Sequence, residues 1–231
     1  MPETAEMVFL FDVDNTLIDN DRVSADLSDH LSREYGQLTR DGFWAIFEEL
    51  RRELGYADYL GSLQRYRAKN LHDPRILRVA NWLIDYPFPE RLFPRADEAV
   101  RHAAGLGTTV ILSDGDAVFQ PRKVSRSGLA ALFELRVLIY IHKEEELAYV
   151  ERLFPAKHYV MIDDKLRLLD AIKRYWGARV TTVFPRQGHY ANDTTVLVEY
   201  PAADLSIDSI GELAEYDADA LRRAASKGSE E

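Results

Sequence analysis

Met7-Val8-Phe9-Leu10-Phe11-Asp12-Val13-Asp14-Asn15-Thr16 is a nearly continuous apolar run that stops abruptly at carboxylates and turn-forming residues. A run this short and this unbroken suits a strand buried on both faces, as in a parallel sheet. Four similar runs follow, at Thr109 to Leu112, Leu135 to Ile141, Tyr159 to Ile162 and Arg179 to Phe184. Helical patterns separate them: Arg95 to Ala104 before Gly105, Lys143 to Phe154 before Pro155, and Lys165 to Trp176 before Gly177. In the last of these, Leu166, Leu169, Ile172 and Trp176 fall on one side. Alternation of this kind predicts right-handed crossovers and an α/β fold built on a parallel sheet.

Residues 20–89 break the alternation and contain no good strand. Ser24 is placed to cap a helix carrying Leu27, Leu31 and Tyr35 and closed by Gly36. Asp41 is placed to cap a second, with Phe43, Ile46, Phe47, Leu50 and Leu54 on one side and Gly55 as its stop. Ala57 to Leu71 reads as a third. Asp73-Pro74 opens a fourth that runs to Tyr86, with Pro at the first helical position. The pattern thus predicts a helical domain at 20–89 inserted into a discontinuous core of 1–19 and 90–231. Beyond Gly188, Thr194 to Tyr200 and Asp204 to Ile207 read as edge strands, and the polar end from Arg222 to Glu231 as a fraying tail.

Composition narrows the function classes. The chain has 231 residues, 46% hydrophobic and 29% charged, as expected of a globular protein with a full core. No apolar run reaches the roughly 20 residues of a membrane helix, so no membrane partner is expected. The start lacks a basic segment followed by a long apolar one, which predicts an intracellular, cytoplasmic protein. With no cysteine, disulfides, thiolate metal sites and a Cys nucleophile are excluded. A net charge of −10 disfavours nucleic acid as a partner and favours a cation wherever carboxylates cluster.

They do cluster, at the carboxyl ends of the strands, where open α/β sheets bind ligands. Asp12 and Asp14 end the first strand. Two residues apart, they would face opposite ways unless the chain turns just past Asp12, and Asn15 and Thr16 are turn residues. Ser113-Asp114-Gly115 ends the second strand and offers a hydroxyl and a glycine backbone N–H to a phosphoryl oxygen. Lys143 follows the third strand at a helix start, against the macrodipole preference of a lysine. Asp163-Asp164 follows the fourth. Four carboxylates at one sheet edge require a compensating cation, and hard oxygen ligands at this charge density suit Mg²⁺.

This set resembles the haloacid dehalogenase superfamily of hydrolases. The resemblance rests on Asp12-Val13-Asp14-Asn15-Thr16-Leu17, Ile111-Leu112-Ser113-Asp114-Gly115, Lys143 and Val160-Met161-Ile162-Asp163-Asp164, in that order over about residues 7–185. It implies a Rossmann-like three-layer α/β/α core with an all-helical cap of the C1 type. It further implies Asp12 as nucleophile, forming an aspartyl-phosphate, and Asp14 as general acid and base. Asp12, the Asp14 backbone carbonyl and Asp164 would bind Mg²⁺, Asp164 as the main ligand of its pair and Asp163 beside it. Ser113, Asp114, Gly115 and Lys143 would surround the substrate phosphate. Lys123 is a rival for the Lys143 role, but its position after the second strand fits a helix surface better. Relatives often carry Asn where this chain has Asp114, and Asp116 adds a further acid, which raises the question of repulsion. The implied activity is an Mg²⁺-dependent phosphatase acting on a small phosphorylated metabolite. A 2-haloacid dehalogenase, a phosphomutase or a weakly active binding protein are the alternatives. In the cap, Arg65, Arg67, Lys69, Arg75 and Arg78 form the most basic stretch of an acidic chain, as substrate contacts or as a solvated face.

Overall fold

A computed structural model describes residues 3–227. Six parallel strands form one sheet: β1 (Ala5–Phe11), β2 (Thr108–Asp114), β3 (Val137–Tyr140), β4 (Ala156–Ile162), β5 (Val180–Pro185) and β6 (Leu205–Ile207), in the order β3-β2-β1-β4-β5-β6. The opening apolar run is thus the central strand. Its alternate residues feed two layers. Phe9 and Phe11 join Ile111, Val160 and Ile162 on one face, while Val8 and Leu10 join Val110, Leu112 and Met161 on the other. Helix α5 (Ala96–Leu106) packs on the first face, and α8 (Leu147–Leu153) and α9 (Leu166–Trp176) on the second. This is the expected α/β/α core.

Between β1 and β2 the chain is helical, with α1 (Asn20–Tyr35), α2 (Gln37–Leu54), α3 (Tyr59–Lys69) and α4 (Leu77–Ile84). The apolar positions read from the sequence, Leu27, Leu31, Phe43, Ile46, Phe47 and Leu50, are buried. Two caps differ from expectation. Asp19, whose side chain accepts from Arg22 N, starts α1, so Ser24 lies one turn inside and bonds Tyr59 Oη instead. Helix α2 starts at Gln37 directly after Gly36, ahead of Asp41. The two segments joining the insert to the core pair with each other: Ile18 bridges Leu92, and Asp19 N donates to Arg91 O.

Three further differences have local causes. Thr194–Glu199 is helix α10 rather than an edge strand, because the Asp193 side chain accepts from Thr195 N and Val196 N and caps it against its β-branched composition. Strand β3 begins only at Val137, since Glu134 and Leu135 adopt positive φ of 51° and 63° in the preceding turn. The polar end is not frayed as far as it is described: α11 (Ala218–Lys227) buries Leu221 and Ala225, while residues 228–231 lie outside the described residues. Helices α6 (Phe119–Arg126) and α7 (Leu129–Leu132) complete the fold.

Candidate active site

Register builds the floor. Phe11 pairs with both Ile111 and Ile162, so Asp12 emerges level with Leu112 and beside Asp163. Just past it the chain turns: Leu17 N and Ile18 N both donate to Val13 O, and Asn15 takes a φ of 59°. Asn at this position tolerates the left-handed region, and its Oδ1 accepts from Asn20 N and Asp21 N, tying the turn to the start of α1.

Lys143 sits at the centre of the floor and is fully buried. Its Nζ donates to Asp12 Oδ1 at 2.5 Å and to Leu112 O at 3.2 Å, and lies 2.6 Å from Asp163 Oδ2. Burial alone would lower the Lys143 pKa, but Asp12, Asp163 and Asp114 outweigh it and hold the ammonium well above its usual range. The misfit with the helix start is thereby explained. Lys143 opens a 3-10 turn, Lys143–Glu145, and is held by carboxylates rather than by the helix. The continuous helix expected over Lys143 to Phe154 is broken at Glu146.

Asp163 and Asp164 are both fully buried but differ in what they touch. Asp163 Oδ1 accepts from Lys165 N at 2.8 Å and its Oδ2 faces Lys143, whereas neither oxygen of Asp164 has a partner. Burial pushes Asp163 up to about 6 against the pull of Lys143, and pushes Asp164 up despite Lys165 nearby. Asp12 Oδ2 is likewise buried and unpartnered. Asp12, Asp163 and Asp164 each offer an oxygen within 4.8 Å of the others. Buried carboxylate oxygens without donors are costly, and a hard divalent cation is the ligand that satisfies them. The donor set fits Mg²⁺.

Asp14 is held differently. Its Oδ1 accepts from Lys123 Nζ at 2.6 Å and its Oδ2 from Gln120 Nε2 at 3.4 Å, and its side chain keeps 24% exposure. Lys123 is therefore not on a helix surface. It is 1% exposed, on the inner side of α6. Gln120, three residues earlier, also donates to Ser113 Oγ at 3.0 Å. The Gly115 N–H, expected to face phosphate, donates instead to Tyr140 O at 2.9 Å. Glycine is needed there because a Cβ would meet Gln120 Cβ at 2.6 Å. Asp114 and Asp116 prove to be loop-building acids. Asp114 Oδ1 accepts from Lys143 N, and Asp116 Oδ1 from Val118 N and Phe119 N at the start of α6. Burial raises the Asp114 pKa in spite of Lys143.

Above the floor lies a cavity of about 630 Å³. Asp14, Asp114, Asp164 and Lys165 reach it, while Asp12, Ser113, Lys143 and Asp163 lie buried without lining it. Its roof comes from α2 and the loop after it, with Trp44, Arg51 and Tyr56, and its far wall from the segment after β5, with His189, Tyr190 and Tyr200. None of Arg65, Arg67, Lys69, Arg75 and Arg78 lines it. Arg65 pairs with Glu53 and Arg75 with Asp73, so the basic stretch is a solvated face.

A parallel sheet with an acid-rich floor at its carboxyl edge, roofed by a helical insert, places the candidate site where open α/β sheets bind their ligands. The comparisons with known proteins agree. Residues 6–174 match the haloacid dehalogenase-like hydrolase family, and the chain belongs to it. A haloacid dehalogenase-like hydrolase from Burkholderia xenovorans LB400 is 59% identical, with 92% of this chain and 99% of that one covered and a TM-score of 0.90. A haloacid dehalogenase-like family hydrolase from Xanthomonas campestris shares the fold at 21% identity, 97% and 100% coverage and a TM-score of 0.65. The L-2-haloacid dehalogenase of Xanthobacter autotrophicus does so at 18% identity, 90% and 96% coverage and a TM-score of 0.60. No curated protein matches. Among the described residues no helix is long and apolar enough to cross a membrane.

Four contributors lay outside the sequence reading: Gln120, Lys165, Arg51 and the His189–Tyr200 wall. Gln120 and Lys123, three apart just after the second strand, share a helix side that points back at the strand ends, and that spacing was the available signal. The wall had none, because His189 and Tyr190 fell in a stretch without a periodic pattern and Tyr200 at the end of a segment read as strand.

Proposed function

We propose that the protein is an Mg²⁺-dependent phosphatase that cleaves a small phosphomonoester through an aspartyl-phosphate at Asp12. The observation that carries this reading is Asp14: a carboxyl group two residues past Asp12 that reaches the cavity, where a leaving oxygen would sit. A halide leaves without a proton, so a dehalogenase has no use for such an acid; an alkoxide leaving phosphorus needs one. In the proposed sequence an Asp12 oxygen bonds to phosphorus as the ester P–O bond breaks, and Asp14, entering the step protonated on Oδ2 while Oδ1 accepts from Lys123, gives that proton to the departing oxygen. Asp14 then takes a proton from water, whose oxygen attacks phosphorus and frees Asp12 as phosphate leaves. Lys143 offsets negative charge beside Asp12 throughout. Bound Mg²⁺, held by Asp12, Asp164 and the Asp14 backbone carbonyl, with Asp163 a second-rank ligand, would neutralise the phosphoryl oxygens. Because Asp12 is only 3% exposed, substrate access calls for the insert to swing at its paired joins near Ile18 and Leu92.

The test is phosphate release from p-nitrophenyl phosphate and a panel of phosphorylated metabolites, with Mg²⁺ and with EDTA, alongside halide release from 2-chloropropionate. Mg²⁺-dependent phosphate release is expected. Metal-independent halide release with no phosphate from any ester rejects the reading.

A further inference from the structure

The proposed reaction leaves a second buried lysine unused. Lys123 Nζ donates to Asp14 Oδ1 at 2.6 Å and to Asn20 Oδ1 at 3.1 Å, and lies over the Phe119 ring 5.2 Å from its centroid. Its two partners belong to different parts of the molecule. Asp14 is the cavity-facing acid of the core, and Asn20 is the first residue of α1 and so of the helical insert. Asn20 is itself held from within the insert, its Nδ2 donating to Tyr59 Oη at 3.4 Å, while Tyr59 packs on Phe119 at 5.3 Å. Lys123 does not line the cavity, so it is not a spare phosphate ligand.

A buried ion pair adds little net stability over a well-packed apolar pair, because both charges must be desolvated. What it does supply is orientation. With Oδ1 fixed by an ammonium and Oδ2 only loosely reached by Gln120, one particular oxygen of Asp14 is left to face a bound ester. We propose that Lys123 is a positioning residue for Asp14: it fixes which carboxylate oxygen is presented to the leaving group, and through Asn20 it ties that orientation to the seating of the insert. The proposal rests on the phosphatase reading above.

The decisive experiment is a double-mutant cycle. Lys123→Met is made in the wild type and in Asp14→Ala, and kcat and KM are measured on phenyl phosphate and p-nitrophenyl phosphate, with Mg²⁺ affinity by calorimetry. The variant is expected to lose about tenfold to a hundredfold in kcat on phenyl phosphate and less on p-nitrophenyl phosphate, whose leaving group needs the proton less. KM and Mg²⁺ affinity should stay within about twofold, and in the Asp14→Ala background the change should add less than about twofold. Asn20→Ala should show the same pattern at about threefold, and Lys123→Arg should recover part of the loss. A loss that persists when Asp14 is absent, a loss confined to KM or metal affinity, or no loss overturns the proposal. If Lys123→Met does not fold, Lys123→Arg and Asn20→Ala carry the same cycle. If the wild type releases phosphate from no ester, the phosphatase reading fails on its own. The crystal structure of Lys123→Met then decides: a displaced Asp14 carboxylate supports positioning, and an unmoved one overturns it.

Discussion

Asp12 and Asp163 meet because neighbouring parallel strands are in register at Phe11 and Ile162, whereas Trp44 and Tyr190 face one cavity only because a helical insert and a segment 146 residues downstream fold over the same sheet edge. The floor is therefore short-range in its logic. Asp12 and Asp163 follow directly on β1 and β4, and the pairing of those two strands sets them side by side. The roof depends on how α2 seats, on Gly55 admitting the ring of His142 against it, and on Asp193 turning a β-branched segment into helix. The two halves should accordingly respond to mutation differently, with large effects on turnover at the floor and small ones on substrate affinity at the roof.

The largest difference is expected at Asp14. Asp14→Ala should cost on the order of 10²–10⁴ in rate on an alkyl phosphate, the usual range for a general acid–base residue. On p-nitrophenyl phosphate the cost should be smaller, since only water activation is lost. Steady-state kinetics on the two esters check this. Equal losses would mean that Asp14 does not protonate the leaving group, and the floor would lose its claim to phosphoryl chemistry.

Within the floor, the doubled acid should split. Both Asp164 oxygens lack a partner, while Asp163 Oδ1 accepts from Lys165 N and its Oδ2 lies 2.6 Å from the Lys143 ammonium. Asp164→Asn should weaken Mg²⁺ binding on the order of a hundredfold, and Asp163→Asn about tenfold through the loosened Lys143. Calorimetric titration of the free protein with Mg²⁺ measures both. Saturating Mg²⁺ should also raise the melting temperature of the wild type, and EDTA should reverse it, as binding to the folded state requires. Equal affinities in the two variants would make the pair interchangeable.

The same contrast explains what could be read in advance. The parallel α/β core and the helical insert were legible because periodicity encodes them, and the floor residues Asp12, Asp14, Lys143, Asp163 and Asp164 because they follow the strand ends. Lys123 was misplaced because a lysine on an amphipathic helix is ordinarily solvated, and only the distance to Asp14 shows otherwise. Gly115 was given a phosphate contact because glycine frees a backbone N–H, but the sequence does not show the Tyr140 carbonyl that takes it. The basic stretch left substrate contact and a solvated face both open, and only its place outside the cavity decides for the solvated face.

A third effect separates the scaffold from both halves. His158, at the far end of the strand that carries Asp163, is buried and contacts Thr181 Oγ1 at 2.8 Å. Burial, followed by the nearby Arg222 and Lys173, depresses its pKa from 6.5 to about 4. Below pH 6.5 the unfolded chain gains a proton at this residue that the folded chain refuses until about pH 4. Its contribution is thus complete above pH 6.5 and falls through that window, by about 2 kcal/mol after allowing for partial solvation. Urea unfolding of wild type and His158→Gln at pH 7, 5.5 and 4.5 tests this. The variant should show a flatter pH dependence, and parallel curves would place the acid sensitivity elsewhere, in the floor carboxylates.

The smallest effect tests the roof itself. Arg51 and Arg65 are both insert arginines with acidic partners, Glu48 at 3.0 Å and Glu53 at 2.8 Å. Only Arg51 and its partner line the cavity. At comparable exposure, 40% and 37%, each pair is a weak surface ion pair, so neither substitution should cost much stability. A phosphomonoester entering the cavity brings negative charge towards Arg51 and leaves Arg65 untouched. Arg51→Ala should therefore raise KM by about fivefold, equivalent to about 1 kcal/mol, with kcat little changed, because the contact is made equally in ground and transition states. Arg65→Ala should leave both constants within about twofold. Raising the salt concentration should shrink the Arg51 effect, as a partly exposed charge is screened. An unchanged KM in Arg51→Ala together with a raised one in Arg65→Ala would mean that the insert seats differently over bound substrate, with the basic stretch turned inward.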